Sequence, residues 1–134
     1  MSEERIAILG VDESDDLGRA SGQSNLQLAA QAIKNALRDA GLSLSDVDGL
    51  FTCGFGWAPT LAVGEFVGLQ PRYMDSTSVG GCSFIIDLEH ASAAIRQGLC
   101  DVALIVHGEH GYSRRTFNDD GDAIFPFYPN GQFV

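Results

Sequence analysis

The stretch Tyr73-Met-Asp-Ser-Thr-Ser-Val-Gly-Gly81 passes abruptly from β-prone residues to small ones, and an apolar-striped segment from Cys82 to Gln97 follows at once. This pattern predicts a strand running into a helix. Small side chains at such a junction let a substrate approach the backbone closely. The first helical turn offers N–H groups without intrahelical partners and a partial positive charge. A nucleophile or a developing oxyanion is favoured there. The same junction also serves as a plain connection in α/β domains, and taken alone it does not choose between the two uses.

The flanking segments fit one scheme. The helix is expected to bury Phe84, Ile85, Leu88, Ala91, Ala94 and Ile95, with Arg96 complementing its dipole and Gly98 closing it. Val102-Ala-Leu-Ile-Val106 reads as a strand covered on both faces. Upstream, Asp48-Gly-Leu-Phe-Thr-Cys53 reads as a strand and Gly54-Phe-Gly-Trp-Ala58 as a loop. Pro59 to Val67 reads as a short helix that Gly68 and Pro71 end. Ser24 and Gln27 have capping-box spacing, and Leu26, Ala29, Ala30, Ile33, Ala36, Leu37 and Ala40 form an apolar stripe before Gly41. Arg5-Ile-Ala-Ile-Leu-Gly10 reads as a first, buried strand. The order β-α-β-α-β-α-β predicts an α/β fold, a mostly parallel sheet with helices on its faces. Residues 1–108 form this domain. Residues 109–134 show no clear period and read as the start of an irregular loop region, so the fold is expected to be incomplete at its C-terminal end.

Composition limits the function classes. A chain of 134 residues with 45% hydrophobic content and a mean hydropathy of +0.04 is globular. Its net charge of −10 makes nucleic acid a poor partner, because phosphate neutralisation needs a basic surface. No apolar run reaches bilayer length and the N-terminus lacks signal-peptide character, so a cytoplasmic location without membrane insertion is expected. Cys53, Cys82 and Cys100 are an odd number without a secretory signal, which argues against a disulfide framework, and their wide spacing does not match a zinc site. The acidic residues at 12–16 and 119–122 read as solvated loops.

Four pieces in this order resemble the N-terminal half of a thiolase-superfamily enzyme, most closely the sterol-carrier and lipid-transfer branch. They are Ile6-Ala-Ile-Leu-Gly-Val11 with Gly18-Arg19; Ser24-Asn-Leu-Gln-Leu-Ala-Ala through Leu37-Arg-Asp-Ala-Gly-Leu42; Ser45-Asp-Val-Asp-Gly-Leu50; and Asp75-Ser-Thr-Ser-Val-Gly-Gly81 joined to Gln97-Gly-Leu-Cys-Asp-Val-Ala-Leu-Ile-Val106. The resemblance implies an acyl-CoA enzyme, an acyltransferase that makes or cleaves a carbon–carbon bond beside a thioester. Coenzyme A enters as part of the substrate, and no other cofactor is implied. It places Ser78 where the family's nucleophilic cysteine sits, with Gly80, Gly81 and His107 as substrate-binding candidates. Cys82 lies one turn further on and reads as a small buried apolar residue rather than as a nucleophile. A serine hydroxyl is a poorer nucleophile than a thiol. That substitution agrees with members of the branch thought to cleave steroid side-chain β-hydroxyacyl-CoA by retro-aldol chemistry with a partner protein. The family's catalytic histidine and second cysteine belong to a C-terminal half that this chain lacks. The resemblance therefore implies a truncated gene, a split subunit or a fragment, inactive by itself. It also implies association, as a homodimer or with a partner subunit, through the edge near Tyr73 to Thr77. A non-catalytic interaction subunit is the alternative of another class.

Other constellations are less specific. Ser76-Thr-Ser78-Val-Gly80 echoes a nucleophile elbow, with His107 and His110 as candidate bases. His107-Gly-Glu-His110 fits polar residues at a strand end better than a metal site. His90 reads as a helix-surface residue. Gly54-Phe-Gly-Trp57 lacks dinucleotide-binding spacing, so Phe55 and Trp57 read as loop anchors. Arg114-Arg115 could meet a CoA phosphate, although paired loop arginines are usually solvated.

Overall fold

The computed structural model describes residues 5–18 and 22–109, together with two short strands at 116–117 and 123–124. Helix α1 (Asn25–Ala40) begins at the expected capping box. Ser24 Oγ accepts the Gln27 N–H at 3.2 Å, and Gln27 Oε1 accepts the Ser24 N–H at 2.7 Å. Gly41 ends the helix at φ 68°, a conformation that glycine adopts without a Cβ penalty. Strand β1 (Gly49–Thr52) leads to α2 (Pro59–Val67), which Pro59 opens and Gly68 closes. Strand β2 (Tyr73–Asp75), helix α3 (Ser83–Arg96) and strand β3 (Ala103–Val106) follow.

The three strands form a parallel sheet in the order β2-β1-β3, with Gly49 opposite both Tyr73 and Ala103. Side chains alternate across it. On one face Leu50, Leu104 and Val106 pack with Ala29, Ile33 and Val63 of α1 and α2. On the other, Phe51 packs with Ala91 and Ala94 of α3, and Tyr73 and Ile105 join it. The expected α/β layering is therefore present.

Asp48 ties the base of the sheet together. One carboxylate oxygen accepts the Asp101 and Val102 N–H groups at 2.8 Å each. The other meets Arg72 at 2.9 Å, and Arg72 also reaches Asp101 at 3.2 Å. Burial alone would raise the Asp48 carboxyl. The two backbone N–H donors and Arg72 outweigh it and hold the group below its ordinary value.

Several expectations are corrected. Residues 5–10 form no strand and pair with nothing in the sheet. They run beside α1 instead. The Val11 N–H donates to Asp39 Oδ2 at 3.0 Å, and Gly10 sits so close that a Cβ there would lie 2.5 Å from the Ala36 carbonyl oxygen. Ile8 and Leu9 stay largely exposed. In α3, Ile85 is 72% exposed and Leu88 is also exposed, while Ser83 and Asp87 are buried in their place. The tract expected to be irregular holds a short antiparallel pair, β4 (Thr116–Phe117) with β5 (Ala123–Ile124). Among the described residues no helix is long and apolar enough to cross a membrane.

Candidate active site

Residues 76–82 join β2 to α3, and Ser83 shapes them. Its hydroxyl accepts the Val79 N–H at 2.9 Å and donates to the Gly80 carbonyl at 2.6 Å. Its own N–H reaches the same carbonyl at 3.0 Å. Gly80 takes φ 88° to close the turn. The helix begins at Ser83 with Cys82 at its N-cap, within one residue of the start expected at Cys82. Side-chain bonding by Ser83 orders the turn that precedes the helix. In consequence, the amide that follows Ser78 is already engaged by Ser83.

Ser78, Gly80, Gly81 and Cys82 lie exposed along this one turn. A Cβ at Gly80 or Gly81 would meet nothing within 4 Å, so open space faces the backbone there. Cys82 carries the exposed thiol, and its Sγ donates to the Val79 carbonyl at 3.6 Å. Among the described residues no hydrogen bond joins Ser78 to a histidine, so the hydrolase-like pairing with His107 is not formed. His110, Arg114 and Arg115 lie outside the described residues.

His107 stands at the carboxyl end of β3. Its ring centroid lies 4.7 Å from that of Phe84 and 6.4 Å from that of Phe55. A Cβ on Gly54 would sit 3.7 Å from His107 Cε1. Phe84 directly follows Ser83, so the ends of β1 and β3 and the start of α3 meet at one rim. In open parallel sheets, ligands bind at the carboxyl ends of the strands. His107 Nε2 lies 3.5 Å from Glu109 Oε2. Both residues line a cleft of about 380 Å³ with Asp12, Glu13 and Asp16. So acidic a lining disfavours a CoA phosphate. Ser78 does not line that cleft.

A third group adjoins the turn and is not apparent in the sequence. His90 Nδ1 lies 2.5 Å from Asp75 Oδ2, and Thr77 Oγ1 lies 3.4 Å from the same nitrogen. His90 is therefore paired to the strand end rather than free on the helix surface. Asp87, one turn earlier on α3, is 0% exposed, and neither of its oxygens has a hydrogen-bond partner among the described residues. Burial pushes its carboxyl up and Asp75 adds to the shift, while His90 opposes it. The available signal was Asp87 and His90 three apart on one helix face, after a strand ending in Asp75.

No protein-family model matches the chain. It is 36% identical over 101 residues to the 17-hydroxy-3-oxo-4-pregnene-20-carboxyl-CoA lyase of Mycobacterium tuberculosis, covering 75% of this chain and 26% of the relative. The chain spans about a quarter of the length of the curated relatives it matches. Among solved structures, the Ltp2-ChsH2(DUF35) aldolase superposes with a TM-score of 0.71 and 28% identity, over 86% of this chain and 30% of that one. A monomeric SCP2-thiolase like protein type 1 from Mycobacterium smegmatis superposes with a TM-score of 0.60 and 25% identity, over 73% of this chain and 22% of that one. With its parallel sheet and small-residue turn before α3, the chain shares the thiolase-like fold of these solved structures.

Proposed function

We propose that the chain is the N-terminal part of a thiolase-like retro-aldol lyase that acts on a steroid side-chain β-hydroxyacyl-CoA together with a partner subunit. The observation that carries this reading is the 36% identity to a steroid-CoA lyase. The hydroxyl in place of a thiol at position 78 supports it, as does the likeness to an aldolase containing a DUF35 chain. Lyase chemistry thus fits better than the acyl transfer first expected from the family.

A base removes the β-hydroxyl proton. The electron pair forms a ketone as the Cα–Cβ bond breaks, and the thioester enolate left behind takes a proton at Cα. No acyl-enzyme is required. Ser78 donates a hydrogen bond to the thioester oxygen. The open faces of Gly80 and Gly81 admit the thioester, and His107 borders the substrate from the rim.

The test combines the chain with a DUF35-type partner and 17-hydroxy-3-oxo-4-pregnene-20-carboxyl-CoA. Ketone release is the expected result. It should survive Cys82→Ala and fall roughly tenfold to a hundredfold in Ser78→Ala. Acyl transfer to free CoA with a covalent label on Cys82 would overturn the reading, and so would absence of ketone release.

One observation favours a second reading, a non-catalytic interaction subunit. Met74, Val79, Ile85 and Leu88 are exposed along β2 and the start of α3. The outer edge of β2 has no strand partner among the described residues. A homodimer or partner contact along this edge suits both readings.

A further inference from the structure

Two carboxylates and an imidazole converge where β2 ends against α3. One oxygen each of Asp75 and Asp87 and one ring nitrogen of His90 lie within 4.8 Å of one another. Asp87 is the informative member. A carboxylate that is 0% exposed should be paired or hydrogen-bonded, because burying it bare is costly. Its two oxygens find no hydrogen-bond partner among the described residues, yet they face a second carboxylate and a histidine. Arg72, the cation that serves the base of the same sheet, is held by Asp48 and Asp101.

We propose that Asp75, Asp87 and His90 bind a divalent first-row transition-metal cation, with Zn²⁺ the best match. A doubly charged ion neutralises two carboxylates beside a neutral imidazole. The mixed nitrogen and oxygen donor set suits zinc or cobalt better than magnesium or calcium, which prefer oxygen alone. Zinc bonds of about 2.0–2.2 Å imply donor separations of about 3.3 Å in a tetrahedron. The His90–Asp75 pair, now 2.5 Å apart, opens slightly to reach that value. The longer separations close by rotation of side chains that sit three apart on one helix and at the end of the facing strand. Three protein ligands leave a fourth position for water. The ion ties the end of β2 to α3, and Thr77 beside His90 links it to the turn that carries Ser78. This site is independent of the lyase reading.

The test is a Co²⁺ titration of the chelator-treated 134-residue chain at neutral pH, followed by visible absorption, with Zn²⁺ as competitor. One saturable equivalent, displaced by Zn²⁺, is expected. Asp87→Asn and His90→Gln should each weaken it by at least about tenfold. Zn²⁺ should raise the melting temperature of the parent chain and leave that of Asp87→Asn unmoved. His90 is 40% exposed, so its replacement keeps the loss readable even where Asp87→Asn fails to fold. Exposed Glu89 adjoins His90 without joining the cluster, and Glu89→Gln should bind like the parent. No saturable absorption overturns the proposal. So does binding that persists in both ligand variants, or binding lost in His107→Gln, which would place the ion at the exposed His107–Glu109 pair. A sulfur-to-cobalt charge-transfer band would overturn it as well by assigning the ion to Cys82.

Discussion

The three thiols sit in different surroundings. Cys82 caps α3 in solvent, whereas Cys53 and Cys100 are buried. Burial pushes the Cys100 thiol up, with Asp48 and Asp101 adding to the shift and Arg72 opposing it. Since the thiolate is the reactive form, a disulfide reagent should titrate one thiol quickly in the native chain. The other two should react only as the chain unfolds. Two fast equivalents would show that the β1 end or the β3 base opens readily. Asp48 supplies a second test at this scale. Its carboxylate accepts two backbone N–H groups and Arg72, and hydrogen bonds to charged groups contribute about 1.5–3 kcal/mol. Asp48→Asn should lower stability by about that amount in urea unfolding at neutral pH. A group whose folded pKa is depressed stabilises the fold above its unfolded value, about 3.9 for Asp. That contribution is lost as pH falls through the lower folded value. The parent should therefore lose its advantage over Asp48→Asn in that acid window. An advantage that persists below it would mean that the amide and guanidinium contacts do not act through charge.

At the scale of elements, closeness of packing separates the glycines. Gly108 follows β3 and lies directly under α1. A Cβ there would overlap the Asn25 carbonyl oxygen and sit 2.8 Å from the Ala29 backbone nitrogen. The obstruction is helix backbone, which cannot rotate aside. Gly108→Ala should cost about 1–3 kcal/mol by displacing the start of α1. Gly81→Ala faces open space and should stay within about 0.5 kcal/mol of the parent. Equal melting temperatures for the two variants would contradict the packing of α1 on the end of β3. This contrast also marks how far the sequence could be read. Helices α1 and α2 were legible because Ser24, Gln27, Gly41, Pro59 and Gly68 are local signals that act within one turn. The strand expected at residues 5–10 was not, because a strand needs a partner along its edge and no local signal reports one. The Asp75, Asp87 and His90 cluster was hidden for a related reason. Which face of α3 meets the sheet depends on where β2 ends, so a helical aspartate looks solvated until the layers are assembled. The turn at Ser78 was legible as a place, while its bonding through Ser83 was not.

For the whole molecule, edge pairing and net charge act in opposite directions. The sheet has three strands, and both of its edges, β2 and β3, lack a strand partner among the described residues. Unpaired edges with apolar neighbours favour association. Met74 and Ile85 lie exposed on β2 and α3, and together they give a second copy a surface to cover. The same edge presented by each copy allows a twofold, self-complementary contact. Against this, each chain carries a net charge of −10, and bringing two together costs electrostatic work that salt screens over about 10 Å at 0.1 M. Association through the β2 edge should therefore strengthen as salt rises, the reverse of a contact held by ion pairs. Sedimentation equilibrium at low and high salt reads this directly. Met74→Glu adds charge to the edge strand and should shift the chain towards monomer at every salt concentration. Leu61→Glu, an equal change on α2 rather than on the edge strand, should alter association only through net charge, an effect that salt removes. If the two variants weaken association equally at high salt, the contact is not at β2. If the parent stays monomeric throughout, the edge belongs to a different partner or to none.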